Sequence, residues 1–196
     1  MNSSKQRTGL LFGSFDPVHT GHLIIADHML SMGGLDEIWF VVSPQNPSKQ
    51  QKEITHQQLR KEMLELAVAG NPDFKVSDIE FNMPSPSYTY NTLKVLMEKY
   101  SGEEFVLIIG TDNLDAFDKW KNYESILEMI QIWVYPRIGY KGEQFAKHPS
   151  VRMTDAPVIE ISSTIIRRSF SQGRPFRYML PEKVFEYINK KGLYIK

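Results

Sequence analysis

The sequence predicts an α/β fold: a doubly wound parallel sheet with helices on both faces. Three observations carry this expectation. Short apolar runs alternate with helix-like segments along the 196 residues. The runs Ile38–Val42 and Phe105–Ile109 are apolar at every position rather than every second one, the pattern of strands covered on both faces. Three loops, Gly13–Asp16, Pro44–Lys49 and Gly110–Asn113, each follow such a run. They therefore converge on the carboxyl edge of the sheet, where folds of this class bind ligands.

Taken in order, Thr8–Phe12 is the first strand and Thr20–Met32 the first helix, closed by Gly33-Gly34, a pair suited to a left-handed helix end. Asp36–Ser43 is an internal strand. Thr55 is placed to cap a helix over His56–Ala69, whose apolar face is Met63, Leu64, Leu66 and Ala67. Phe74–Phe81 reads as a weaker strand, Thr89–Tyr100 as a helix and Glu104–Ile109 as another apolar strand. One or two short helices lead to a fifth strand, Gln131–Tyr135. Arg152–Ile159 holds one or two short strands, and Ser162–Ser171 and Pro181–Lys190 are helices, the last ended by Gly192. Length and the absence of a linker suggest one domain over residues 1–196, with a helical part from about residue 160 packed on the sheet.

Composition excludes several classes of function. Lysine plus arginine equals aspartate plus glutamate, 23 of each, so there is no basic excess to drive general binding to nucleic acid or anionic membrane. There is no cysteine, which removes disulfides, thiolate metal sites and cysteine nucleophiles. No apolar run approaches the roughly 18 residues that span a bilayer. The expectation is a soluble cytoplasmic protein with small-molecule partners. The sequence leaves a homo-oligomer open.

The stretch with most chemical content is Gly13–Leu23, Gly-Ser-Phe-Asp-Pro-Val-His-Thr-Gly-His-Leu. It joins a strand to a helix, and a helix start offers unpaired N–H groups and the positive end of the macrodipole to an anion. His19 and His22, three apart, share one face of that start. Gly21 between them lets a ligand approach closely. The pair reads either as two imidazoles aimed at phosphate oxygens or as two helix-capping histidines. A second stretch, Ile161-Ser162-Ser163-Thr164-Ile165-Ile166-Arg167, offers a serine cap, exposed N–H groups and an arginine one turn later.

Together these two stretches resemble the paired signatures of the nucleotidyltransferase superfamily, Gly-x-Phe-Asp-Pro-x-His-x-Gly-His and Ile-Ser-Ser-Thr-x-x-Arg. The resemblance implies a Rossmann-like nucleotidyltransferase fold in which both grip the triphosphate of ATP. Ser87-Tyr88-Thr89-Tyr90-Asn91-Thr92-Leu93, Gly110-Thr111-Asp112-Asn113-Leu114 with Trp120, Ser43–Lys49 and Arg137-Ile138-Gly139-Tyr140 are similar to segments of the bacterial nicotinate-nucleotide adenylyltransferases. That resemblance places Gly13, Ser14, Phe15, His19, His22, Gly110, Asp112, Ile161, Ser162, Ser163 and Arg167 against ATP. It places Phe15, Lys49, Tyr88, Thr89, Trp120 and Arg137 against the mononucleotide, with His19, His22, Lys49 and Arg167 as the catalytic set. Two positions depart from the pattern: Ser48 stands where the family has histidine, and Ile138 where it has proline.

The reaction implied joins the phosphate of nicotinate mononucleotide to the α-phosphorus of ATP and releases pyrophosphate, in NAD biosynthesis. A phosphate monoester with a second pKa near ~6 is already largely ionised at neutral pH, so no general base is required. Catalysis then reduces to positioning two anions and neutralising the leaving group. Mg²⁺ is expected on the ATP phosphates, mostly hydrated, because no carboxylate cage is apparent. The competing readings are a preference for nicotinamide mononucleotide and a non-catalytic nucleotide sensor. Several residues also have simpler roles open to them: Asp16 as a turn former, Asp112 as a helix cap, Trp120 as core, and Lys119 and Lys121 as solvated charges.

Overall fold

The computed structural model describes residues 5–44 and 54–195. Its six strands are β1 (Arg7–Gly13), β2 (Glu37–Val42), β3 (Phe74–Ser77), β4 (Glu104–Gly110), β5 (Gln131–Tyr135) and β6 (Val151–Met153). They form one sheet in the order β3-β2-β1-β4-β5-β6, with every pairing parallel. The helices are α1 (Thr20–Ser31), α2 (Gln57–Val68), α3 (Thr89–Lys99), α4 (Thr111–Leu114), α5 (Tyr123–Met129), α6 (Ser163–Ser171) and α7 (Glu182–Lys191).

The sheet is covered on both faces, and the alternation of strand side chains shows how. Leu11, Ile38, Phe40, Val42, Val106, Ile108 and Trp133 pack with Ile25 and Met29 of α1, Met63 and Leu64 of α2, Ile166 and Phe170 of α6, and Val184 and Ile188 of α7. Their neighbours Leu10, Trp39, Val41, Phe105, Leu107, Ile109, Ile132 and Val134 pack on the other face with Leu93 and Leu96 of α3, Leu114 of α4, and Ile126 and Leu127 of α5. All-apolar strands follow from this arrangement, because each side of the pleat meets a helix layer. The strand order reverses between β1 and β4. The loops after those two strands diverge there and leave a crevice at the carboxyl edge.

The expected elements form, with local differences. Gly33 (φ +79°) and Gly34 (φ +99°) carry the chain out of α1 in the left-handed region, as the Gly-Gly pair predicts. The cap of α2 is His56, whose Nδ1 accepts from Gln58 N at 3.3 Å, and not Thr55. Thr55 is engaged elsewhere: its N–H donates to Asp16 and its carbonyl accepts from Arg60. β3 ends at Ser77, short of the expected Phe81, because Ile79–Asn82 winds into a 3₁₀ turn that buries Glu80. Of the expected Arg152–Ile159 segment only Arg152 and Met153 pair with β5, in a strand that begins one residue earlier at Val151. Among the described residues, no helix is long and apolar enough to cross a membrane.

Candidate active site

β1 delivers the chain to the crevice and α1 carries it away. Between them Phe15 adopts φ +45° with its ring buried, an unusual conformation for a side chain of that size. Gly13 makes this arrangement fit, since a Cβ there would lie 2.9 Å from the Phe15 ring. The Phe15 ring meets the imidazole of His22 edge-on at 5.0 Å, and His22 stacks on His19 with centroids 3.6 Å apart. The backbone N–H of His19 donates to His22 Nδ1 at 3.2 Å. That bond makes Nδ1 the acceptor, so the neutral ring carries its proton on Nε2. His19 is 4% exposed, and its Nδ1 is buried without a hydrogen-bond partner. Burial, and secondarily the charge of Arg137, lower its pKa to about 4, so this imidazole is neutral at physiological pH.

The start of α6 faces the start of α1 across a cleft of about 280 Å³. Its walls include Gly13, Ser14, Phe15, His19, Gly21, His22, Asp112, Arg137, Ile161, Ser162 and Ser163. Ser162 caps α6, its Oγ accepting from Ile165 N at 3.3 Å. Ser163 Oγ donates to Pro17 O at 2.9 Å, and Arg167 Nη1 donates to Asp16 O at 2.7 Å. The two helix starts are thus tied together through the β1–α1 loop. Both present backbone N–H groups and a positive dipole end to the same space. Gly110, read in the sequence as an ATP contact, is not itself a wall residue of this cleft but packs against two that are, Asp112 and Arg137. A Cβ on it would sit 2.3 Å from Asp112 Oδ1 and 2.9 Å from Arg137 Cγ, so the backbone must be bare there. Tyr135, at the floor, has its hydroxyl pKa pushed up to about 12 by burial and by Asp112.

A second cleft of about 240 Å³ opens beside the first and is lined by Ser43, Glu80, Ser87, Tyr88, Thr89, Lys119, Trp120 and Lys121. The two clefts share Leu11, Phe12, Gly13, Asn113 and Tyr135. Trp120 packs on Phe117 with centroids 5.2 Å apart and also lines the cleft, so it is both a core contact and a wall. Glu80 is 2% exposed and accepts from Thr92 Oγ1 at 2.7 Å. Burial raises its pKa, which favours the neutral acid.

Beneath both clefts lies a polar cluster. Arg60 of α2 is fully buried and donates to the carbonyls of Ser14, Ser43 at 2.9 Å, Pro44 at 3.0 Å and Thr55 at 2.9 Å. It joins the loop after β1 to the loop after β2. Asp16, also buried, accepts from Tyr194 Oη at 2.6 Å and Thr55 N at 3.2 Å. It thereby pins the end of the chain to the same loop.

The model of the family described as cytidylyltransferase-like matches residues 10–169. A probable nicotinate-nucleotide adenylyltransferase of Flavobacterium johnsoniae is 48% identical over 97% of this chain and all of its own length. The nicotinate-nucleotide adenylyltransferase of Bacillus subtilis is 38% identical over 96% of this chain and 98% of its own. The chain belongs to the nicotinate-nucleotide adenylyltransferase family. The same fold is seen in the nicotinic acid mononucleotide adenylyltransferase of Plasmodium falciparum, solved in complex with NaAD. The match has a TM-score of 0.81 at 20% identity and covers 96% of this chain and 97% of that one.

Set against this family's pattern, the structure gathers His19, His22, Gly13, Ser14, Phe15, Asp112, Ile161, Ser162 and Ser163 in one cleft, and Tyr88, Thr89 and Trp120 in the other. Two residues stand differently from the sequence reading. Arg137, grouped there with the mononucleotide, lies in the histidine cleft, with its Nε 3.9 Å from Asp112. Arg167, read as facing phosphate, binds the Asp16 carbonyl from behind the cleft wall. Gly21, read as opening space for a ligand, lines the histidine cleft and also admits Ile159, whose Cγ2 would lie 2.9 Å from a Cβ at that position. Asp112 lies in the first turn of α4, whose N-cap is Gly110; it accepts from Asn113 Nδ2 at 3.4 Å and lines the cleft. Lys49 and Ser48 lie outside the described residues. Sequence reasoning missed Arg60, Glu80, Asn113 and Tyr135, and passed over Lys119 and Lys121 as solvated.

Proposed function

We propose that the protein transfers the adenylyl group of ATP to the phosphate of nicotinate mononucleotide, giving nicotinate adenine dinucleotide and pyrophosphate. The observation that carries this reading is the junction of the two clefts. A cleft built from histidines and two helix starts, suited to a polyphosphate, merges at Gly13 with one walled by Trp120 and Tyr88, suited to a flat ring. An acceptor phosphate at Gly13 then lies beside the α-phosphorus of a nucleotide in the first cleft. The relatives named for this activity support the same assignment.

In this mechanism the acceptor phosphate oxygen attacks the α-phosphorus and the bond to the β-phosphate oxygen breaks. Negative charge moves to pyrophosphate. His22 Nε2–H and the N–H groups at the starts of α1 and α6 donate to the phosphate oxygens as that charge grows. Neutral His19 holds the His22 ring in place by stacking and through its own N–H. Arg167 and Ser163 hold the β1–α1 loop in register with α6, and Arg167 supplies positive charge next to the outer phosphates. Lys49, outside the described residues, is assigned to the acceptor on the sequence resemblance alone. Mg²⁺ bound with ATP would supply further neutralisation of phosphate charge, with Asp112 the carboxylate beside it. Among the described residues no three His, Asp or Glu side chains gather to hold an ion, and Asp112 is the one carboxylate lining the first cleft. That donor set fits an ion carried mainly by phosphates and water.

The test is pyrophosphate release from MgATP and nicotinate mononucleotide, with the dinucleotide identified by mass. His22→Ala is expected to lower kcat by about 10²–10³ with the fold retained, the usual cost of one preorganised donor. Absence of product from the wild type refutes the reading, and near-normal turnover by His22→Ala refutes the role given to His22.

A further inference from the structure

The second cleft carries charge that its proposed role has not yet used. Lys119 and Lys121 flank Trp120, and all three line the cleft. Trp120 is pinned by its contact with Phe117, so the strip bearing both lysines is fixed against the core. The ammonium of Lys121 reaches across to the opposite wall, where it lies 4.6 Å from the ring centroid of Tyr88 at the start of α3. Among the described residues, the ion pairs within 4.0 Å involve neither Lys119 nor Lys121. Among the described residues, Glu80 is the one acidic side chain on the cleft wall, and it is buried and bound to Thr92.

Resting on the function proposed above, we infer that Lys121 is a specificity-determining residue, whose ammonium reads the ring carboxylate of nicotinate mononucleotide in preference to the carboxamide of its nicotinamide counterpart. The two acceptors share ribose and phosphate and differ only at the ring substituent. Their phosphate is placed at Gly13, where the clefts meet, so the ring lies toward Trp120 and Tyr88. A cation at that end attracts a carboxylate and gains little from a neutral amide. Tyr88 holds the ammonium at the mouth by a cation–π contact, which limits the freedom lost when an anion arrives.

The experiment measures kcat and KM for both mononucleotides in the wild type, Lys121→Gln, Lys121→Arg and Lys119→Gln, at low and raised ionic strength. Lys121→Gln is expected to reduce the ratio of kcat/KM for nicotinate over nicotinamide mononucleotide roughly fivefold, the scale of a solvent-accessible ion pair. The loss appears in KM for the nicotinate form, with KM for ATP unchanged, and Lys121→Arg restores it. Added salt narrows the wild-type ratio and leaves that of Lys121→Gln unmoved, since only a charge contact is screened. Equal losses for both acceptors, an unchanged ratio, or a larger fall in Lys119→Gln overturns the inference while leaving the proposed function standing. A wild type that transfers to neither mononucleotide overturns the proposed function, and this inference with it.

Discussion

The burial of His19 makes a quantitative prediction about acid stability. In the folded protein its imidazole titrates at about 4 rather than 6.5. A histidine whose pKa falls on folding binds fewer protons in the native state than in the unfolded state between those two values. Stability therefore rises with pH through this window, is fully present above pH 6.5, and is lost as pH falls toward 4. The full shift of about 2.5 units at 1.36 kcal/mol each corresponds to about 3 kcal/mol, and the fall between pH 7 and pH 5 to about 2 kcal/mol. The near-complete burial of the side chain, 4% exposed, means that little solvent screening reduces this figure. The assay is urea unfolding at half-unit steps from pH 7 to pH 5, comparing wild type with His19→Asn, which removes the titrating group. The wild type should lose about 2 kcal/mol more than the variant over that range. Parallel curves for the two proteins would show that His19 is not held neutral by burial. Arg137→Gln should leave most of the difference in place, because burial is the larger cause of the shift.

Three further outcomes follow from the same packing. Arg60→Met leaves four backbone carbonyls without their charged donor and should cost about 3–5 kcal/mol in urea unfolding, with a fall in kcat/KM because the loops after β1 and β2 lose their common anchor. A loss under 1 kcal/mol, about the net contribution of one ordinary hydrogen bond, would remove Arg60 from that role. Glu80→Gln should be more stable than the wild type at neutral and alkaline pH, because the raised pKa of Glu80 means that stability present at low pH is lost as pH rises through the folded value. Unfolding midpoints that keep a constant gap with pH count against this. Trp120→Ala should raise KM for the mononucleotide about tenfold with KM for ATP unchanged, since stacking on an aromatic ring contributes about 1–3 kcal/mol. A matched rise for ATP would place Trp120 in the shared framework instead.

What was legible in the sequence was what is local. The apolar runs fixed β2, β4 and β5 because burial on both faces requires every residue to be apolar, and β5 forms over the predicted Gln131–Tyr135. The cap of α6 by Ser162 and the left-handed Gly192 after α7 were also readable, since each depends on a few adjacent residues. Arg60 left a signal that went unread. It lies three and four residues before Met63 and Leu64, on the buried stripe of α2, where an arginine must find several acceptors. Lys119 and Lys121 carried no such signal. Their place is set by the contact of Trp120 with Phe117 and by the approach of α3, neither of which is local in sequence.

The largest gap concerns how the two signature stretches relate. Read separately, each looks like half of a clamp whose polar side chains all face an anion. In the folded chain several of those side chains face each other instead. Ser163 and Arg167 bond the backbone of Pro17 and Asp16 across 146 and 151 residues, and Tyr194 reaches Asp16 across 178. Asp16, which in the sequence is only the residue before a proline, is therefore the point where the β1–α1 loop, α6 and the segment after α7 are joined. This division of labour has a physical reason. Phosphate recognition by backbone N–H groups works only if the two helix starts are held at fixed separation, and side chains spent on that framework cost nothing in reorganisation when the substrate arrives. Arg167 illustrates the point: one guanidinium has five donors, so it can keep Nη1 on the Asp16 carbonyl while its charge still acts on an anion at the start of α6. The motif residue read as a ligand is thus first a tie between the two helix starts, and in the proposed mechanism it acts on phosphate from that position.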